Sequence, residues 1–411
     1  MIEMKECALT DAIKYIGVND TTIDLFESQY QVLDGISYNS YVIMDEKIAV
    51  MDSVDKRGEK EWFANLETVL DGRHPDFLII QHMEPDHSGS AQLFMKKYPE
   101  ATLVCSERAA SMFSQFFPMD LKLRCMKVKE GDKLTLGKHN LTFYMAPMVH
   151  WPEVMVTFEE SQKVLFSADA FGAFGALQGE LGEQENIDAV IKLASKLDYL
   201  QREWLDEARR YYINIVGKYG VQVQALLKKL ASLDISMICP LHGPMLTENL
   251  GFCIEKYDIW SRYDPEKKGV VIAYASIYGN TARVAQNLAD MLCQKGVPNV
   301  LYDLARDDES EAVAQAFAYD KLVVASPTYD GGLFPCMETF LNKLKAKNYQ
   351  KRAVGIIENG TWAPIAGKLI KDKLAAMKEL QVLEPTVTLY STLNEQSLEL
   401  LKQLEESLAS C

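Results

Sequence analysis

His82-Met83-Glu84-Pro85-Asp86-His87 sets four potential metal ligands within six residues, directly after the apolar run Phe77-Leu78-Ile79-Ile80. Such a run reads as a buried strand, which puts the ligands on the loop at its C-terminal end. Pro85 agrees with that placement, because a proline cannot donate to a sheet ladder. His82, Glu84 and Asp86 alternate, so an extended backbone would send all three side chains the same way. Taken alone, the run also suits a charged loop capping a helix that follows Ser88 or Ser90.

The same arrangement recurs downstream. The chain has only six histidines, and two others sit at the ends of apolar segments. His150 closes Leu141 to Val149, and His242 follows Met237-Ile238-Cys239-Pro240-Leu241. Asp169 closes the strand-like run Val164-Leu165-Phe166-Ser167-Ala168. One such histidine is ordinarily a hydrogen-bonded core residue. Four apolar segments that each end in a ligand-type side chain point instead to a shared metal site.

This series resembles the ligand series of the flavodiiron proteins, in which a metallo-β-lactamase-like domain is fused to a flavodoxin-like domain. Zinc hydrolases of the first fold show H-x-H-x-D-H, whereas Glu84 stands at the second histidine position here. A carboxylate in place of an imidazole makes the site harder and more anionic, which suits iron or manganese better than zinc. By the resemblance, His82, Glu84 and His150 would hold one iron. Asp86, His87 and His242 would hold the other, with Asp169 bridging. The main alternative is a dizinc hydrolase of the same fold with a fused flavodoxin domain, and a further one is an electron carrier whose metal site is only structural.

Composition is consistent with that architecture. A chain of 411 residues is long enough for two domains with sizeable cores. Forty-three basic against fifty-eight acidic residues give a net charge of −15, which argues against nucleic acid or an anionic membrane as partner. The eight cysteines contain no C-x-x-C pair, so no zinc knuckle or rubredoxin-type centre is expected, and they read as thiols of a reducing compartment. No apolar stretch reaches the roughly 20 residues of a membrane helix, and a cytoplasmic location is expected.

In chain order, Tyr41 to Met44 and Ile48 to Met51 flank Asp45-Glu46-Lys47 as a hairpin. Helices are expected over Glu59 to Leu70 and Glu107 to Phe116, with a strand at Ala101 to Cys105 and short strands from Leu121 to Phe143. These mixed elements suit an αβ/βα sandwich over residues 1–264. Phe171 to Asp188 reads as a loop over the site, and Ile187 to Leu233 as helical. Within the latter, Arg209-Arg210-Tyr211-Tyr212 resembles a family segment that puts a tyrosine near the irons, and Tyr212 is the expected residue.

The pattern changes at Tyr263-Asp264-Pro265-Glu266-Lys267-Lys268-Gly269, a polar stretch that reads as the domain boundary. Strand and helix then alternate five times, which predicts a doubly wound parallel sheet over residues 269–411, with ligands bound beyond its strand ends. Three loops there have the chemistry to hold a flavin mononucleotide. Ser276-Ile277-Tyr278-Gly279-Asn280-Thr281 opens a helix and offers hydroxyls and backbone N–H groups to a phosphate. Ser326-Pro327-Thr328-Tyr329-Asp330-Gly331 and Asn359-Gly360-Thr361-Trp362 each bring glycine for close approach and an aromatic for stacking. All three resemble flavodoxin loops, although Glu358 and the lone Gly360 depart from the common glycine-rich form of the last.

The resemblance implies an enzyme that passes electrons from an external donor through FMN to two iron ions. Dioxygen would be reduced to water, nitric oxide to nitrous oxide, or both. The donor implied is rubredoxin or a reduced deazaflavin. The assembly implied is a head-to-tail homodimer or a dimer of such dimers.

Overall fold

Short runs of β-branched and aromatic residues recur up to Cys239, and most of them form two large sheets that face one another. The first takes the spatial order Cys7–Ala8, Ile13–Tyr15, Tyr41–Ile43, Ala49–Met51, Phe77–Ile80, Thr102–Ser106 and Cys125–Val128. The second runs Lys133–Thr135, Asn140–Met145, Met155–Glu159, Val164–Phe166 and Met237–Cys239. Met51, Ile79 and Val104 of one sheet meet Phe143, Met155 and Phe166 of the other in a single core. Phe77–Ile80 is buried at every position, as expected of a central strand covered on both faces. Helices Glu59–Leu70, with Trp62 and Leu66 buried, and Glu107–Phe116, capped by Ser106, complete the αβ/βα sandwich.

The computed structural model describes residues 7–121, 124–177 and 196–410. The expected loop Phe171 to Asp188 is described as far as Leu177, and the rest, with the start of the helical stretch expected from Ile187, lies outside the described residues. The chain divides into a first unit, Met1–Tyr212 with Val221–Asp258, and a second, Ile213–Gly220 with Ile259–Cys411. The join expected at 264–269 falls a few residues beyond the point where the units part. Cys105, Cys125, Cys239, Cys253, Cys293 and Cys336 are free thiols. Among the described residues no helix is long and apolar enough to cross a membrane.

The second unit carries the expected doubly wound sheet. Its parallel strands lie in the order Asn299–Asp303, Lys267–Tyr274, Tyr319–Tyr329, Gln350–Asn359 and Lys378–Val382. The fifth position is shared, because Val387–Leu389 pairs with the C-terminal half of Gln350–Asn359. Pro385 lies between the two pieces and has no N–H to give the ladder. Val284, Leu288 and Leu292 of helix Asn280–Gln294 join Leu401, Leu404 and Leu408 of helix Glu395–Ser410 over one face of the sheet. A hairpin was not foreseen: Tyr319–Tyr329 turns at Asp330 (φ 48°) and Gly331 (φ 69°) into Gly332–Leu333. Asp-Gly with two positive φ angles is the favoured chemistry of a two-residue turn.

Candidate functional site

In the first unit, four strands deliver potential ligands at their C-terminal ends. Val164–Phe166 and Met237–Cys239 are parallel neighbours, so Asp169 and His242 leave the sheet at one edge. The N–H of Leu241 bonds to the carbonyl of Ala168 at 2.9 Å and holds those two exits together. Across the sandwich, the N–H of Met155 donates to the carbonyl of Gln81 at 3.1 Å, which ties the His82 loop to the second sheet.

One detail differs from the sequence expectation. The extended path ends at Glu84, and Pro85 opens a single helical turn, Pro85–Ser88. Its fixed φ suits a first helical position. Asp86 therefore does not point with His82 and Glu84. It joins His87 and His242 instead, so the donors fall into two groups: His82, Glu84, His150 and Asp169, and Asp86, His87 and His242.

All four histidines present Nε2. In the first group Glu84 Oε2 lies 3.1 Å from both His82 and His150, and Asp169 Oδ2 lies 3.4 and 3.0 Å from the same two nitrogens. In the second, Asp86 Oδ2 lies 3.2 Å from both His87 and His242. Asp169 reaches this group as well, with Oδ1 3.2 Å from His87 Nε2.

These spacings fit two metal ions. Donors about 2.1 Å from one ion, at angles between octahedral and tetrahedral, stand about 3.0–3.4 Å apart. The orphaned atoms agree: both oxygens of Asp86 and of Asp169, and Nε2 of His87, His150 and His242, are buried without a hydrogen-bond partner. Such atoms are costly unless something else binds them. Burial opposes charge on His82, but Asp169, Glu153 and Glu84 outweigh it and push the imidazole well above its usual range. Burial likewise opposes ionisation of Asp169, yet His82, His87 and His150 hold its carboxyl far below the usual range. The pocket is built for positive charge.

Several surrounding residues carry no sequence signal strong enough to single them out. Glu153 Oε1 accepts from His82 Nδ1 at 2.8 Å and from the Met83 N–H at 2.9 Å. The carboxylate of Asp52, which burial pushes up to about 6, accepts from the Gln81 N–H at 2.8 Å and its side-chain amide at 2.9 Å. Of the Tyr211-Tyr212 pair, Tyr211 is the one whose ring packs on a ligand, its centroid 5.5 Å from that of His242, beside Tyr38 at 5.9 Å. The expected Tyr212 packs against Tyr257 instead, at 5.0 Å. Neighbouring positions on a helix point about 100° apart, so only one of the two can face the donors. Tyr211 also lies against Gly172, where an added Cβ would stand 3.1 Å from its Cε1.

In the second unit the three expected loops line one cleft of about 470 Å³. Ser276, Ile277, Tyr278, Asn280, Thr281, Pro327, Thr328, Tyr329, Asp330, Gly331, Asn359, Gly360, Thr361 and Trp362 all border it, joined by Ala363, Ile365 and Ser391, which the sequence did not suggest. Gly279 and Ser326 do not line it. Gly279 (φ 84°) shapes the turn into the helix, its N–H bonded to Ser276 Oγ at 3.1 Å, and Ser326 is buried within strand Tyr319–Tyr329. Asn359 knits the loops, donating to Thr281 Oγ1 at 3.3 Å and to the Ser391 carbonyl at 3.1 Å. Glu358 serves the frame, accepting from the Gly367 N–H and Thr388 Oγ1. Tyr278 and Trp362 leave 90% of their surface in water beside this cleft, which fits a planar ring bound against them. The cleft opens at the N-terminus of Asn280–Gln294, where a phosphate is favoured.

Residues 36–243 match the family described as ODP family beta lactamase, and residues 271–406 match a flavodoxin domain. A nitric oxide reductase of Moorella thermoacetica is 29% identical over 388 residues, covering 93% of this chain and 92% of the relative. The rubredoxin oxygen:oxidoreductase of Desulfovibrio gigas superposes with a TM-score of 0.87 at 26% identity, over 99% of this chain and 98% of that one. The flavodiiron protein of Giardia intestinalis superposes with a TM-score of 0.88 at 25% identity, over 99% and 96%.

Proposed function

Because this chain belongs to the flavodiiron proteins, we propose that it passes electrons from an external donor through FMN to a diiron centre, reducing dioxygen to water, nitric oxide to nitrous oxide, or both. In this reading residues 1–264 are the metallo-β-lactamase-like diiron domain and residues 269–411 the flavodoxin-like domain. His82, Glu84 and His150 would hold one iron and Asp86, His87 and His242 the other, with Asp169 shared between them. The observation that carries the reading is the split carboxylate of Asp169, one oxygen in each donor group.

Two bound irons supply two electrons and reduced FMN two more, enough to take one dioxygen to two waters or, twice over, two nitric oxides to nitrous oxide and water. The chain's own residues set the conditions for that chemistry. Glu84, Asp86 and Asp169 together offer three negative charges, which would leave two bound ferrous ions only a small positive excess. Burial of His82, His87, Asp169 and His242 keeps bulk water away, while Glu84, at 16% side-chain exposure, and His150 border the more open side. Tyr211 keeps its proton, because burial and the carboxylates of Asp169, Asp86 and Glu84 all oppose its ionisation. Its hydroxyl therefore keeps a proton to donate toward the site.

The relatives named for rubredoxin support a rubredoxin-type donor, with reduced deazaflavin as the other candidate. A head-to-tail homodimer, alone or doubled, would bring the flavin of one protomer to the irons of its partner, and the free thiols suit the cytoplasm. A dizinc hydrolase is not favoured, since Glu84 hardens the site and hydrolysis gives the flavin cleft no task.

The test is anaerobic purification followed by metal, flavin and gas-consumption assays with reduced rubredoxin. About two irons and one FMN per chain, with oxygen or nitric oxide consumption, are expected. Full zinc occupancy in iron-replete cells would sink the reading. For the dimer, a His150→Ala/Asp169→Ala chain is mixed with a Thr281→Asp chain. Recovered activity in the mixed dimer supports transfer between protomers, and verified mixed dimers that stay dead refute it.

A further inference from the structure

The two donor groups differ in what stands behind their histidines. His82 Nδ1 is bonded to a carboxylate, Glu153 Oε1, at 2.8 Å, and that pair is wholly buried. In the other group His242 Nδ1 meets only a neutral backbone carbonyl, that of Ser37, at 2.7 Å. His87 Nδ1 has no partner at all among the described residues. Glu153 is also firmly held: its Oε1 takes the Met83 N–H, its backbone carbonyl accepts from Ser106 Oγ at 2.8 Å, and its side chain is fully buried. Either a carboxylate or a carbonyl behind an imidazole fixes the tautomer and leaves Nε2 for the metal, but the charged carboxylate makes that nitrogen the stronger donor.

We infer that Glu153 is a positioning residue that makes the two metal positions unequal, so that the ion at His82, Glu84 and His150 is held more tightly than the ion at Asp86, His87 and His242. The inference rests on the diiron reading above and adds an order to it. The second ion leaves first, and the first ion leaves last. Charge on Glu153, not merely its hydrogen bond, produces the difference.

The experiment follows release of iron from the anaerobic, flavin-loaded full chain to a ferrous chelator. Wild type is expected to lose its irons in two phases of equal size. Glu153→Gln keeps an oxygen for the His82 and Met83 N–H groups but removes the charge. It should speed the slow phase by about tenfold or more and leave the fast phase unchanged. In the ⁵⁷Fe Mössbauer spectrum of the loaded variant, only one of the two ferrous signals should move. Unaltered flavin content and melting temperature show that the variant is folded. Glu153→Leu, which also removes the acceptor, should be worse still. Wild-type release in Glu153→Gln with loss only in Glu153→Leu would mean a purely structural role and overturn the inference. Equal acceleration of both phases, or a single phase in wild type, overturns it too. A wild-type chain that takes up no iron from ferrous solution refutes the diiron reading itself, and is distinguishable because no release can then be measured.

Discussion

Asp169 Oδ2 lies 3.0 Å from His150 Nε2, while the other oxygen of the same carboxylate faces the opposite donor group. In the proposed diiron reading this one side chain serves two ions, and its removal should cost both. Asp169→Ala is expected to drop iron from about two per chain toward none while FMN remains at wild-type level. Metal analysis beside the flavin absorbance checks this, and retention of one full iron would contradict the bridge.

Glu84 is the residue that separates this donor set from an imidazole-rich one. Glu84→His should shift metal content from iron toward zinc in cells given both, and abolish gas reduction. Metal content by mass spectrometry decides it. An unchanged iron content would remove Glu84 from the selectivity argument.

Thr281 is buried at the start of Asn280–Gln294 and bonded to Asn359. Thr281→Asp places a carboxylate beside the proposed phosphate site, a like-charge contact worth on the order of 1–3 kcal/mol. The variant should bind FMN about 5- to 150-fold more weakly. Flavin titration by fluorescence quenching measures that directly, with iron content as the control.

Arg352 is almost wholly buried, and among the described residues no carboxylate forms an ion pair with its guanidinium. It donates instead to the carbonyls of Tyr319 and Tyr263, each at 2.7 Å, and of Phe317. Arg352→Met would leave those carbonyls without their donor and should destabilise the second unit by on the order of 2–4 kcal/mol. Chemical denaturation followed by flavin release reports it, and a change below about 1 kcal/mol would mean that water replaces the guanidinium.

Asp320 offers a pH test away from the metal centre. Burial would raise its pKa, but the Gly269 N–H at 2.9 Å and the ammonium groups of Lys268 and Lys321 hold it below the usual range. A carboxyl depressed in the folded state stabilises above its unfolded value, and that contribution is lost as pH falls through the folded value. Asp320→Asn should therefore melt lower than wild type at neutral pH, and the gap should close as pH drops below about 4. A gap that is constant with pH would show the effect to be steric.

The convergence of His82, Glu84, Asp86, His87, His150, Asp169 and His242 was legible because each follows an apolar run, and residue type alone marks a potential ligand. Their division into two groups followed from the family resemblance and not from spacing, since it depends on the helical turn that Pro85 opens. Tyr211 and Tyr212 are indistinguishable in composition, and their facing is a matter of helix register. Tyr212 moreover begins a π-helical segment, Tyr212–Val216, which shifts that register. Glu153 could not be read because its bond to His82 spans the two sheets. The flavin loops were readable from their turn chemistry and their places after strands. The Asp330-Gly331 hairpin was overlooked because its second strand, Gly332–Leu333, is only two residues long.

The stitch from the Met155 N–H to the Gln81 carbonyl has a consequence for how the chain matures. The donors are spread from His82 to His242 and stand on both sheets, so no partly folded fragment owns a complete site. Closing such distant contacts is slow, and metal cannot nucleate it as zinc does in a small finger. Iron should enter only after the sandwich has closed. Chelation should then leave a folded apoprotein, and iron uptake by newly made chains should lag behind the appearance of native core signals.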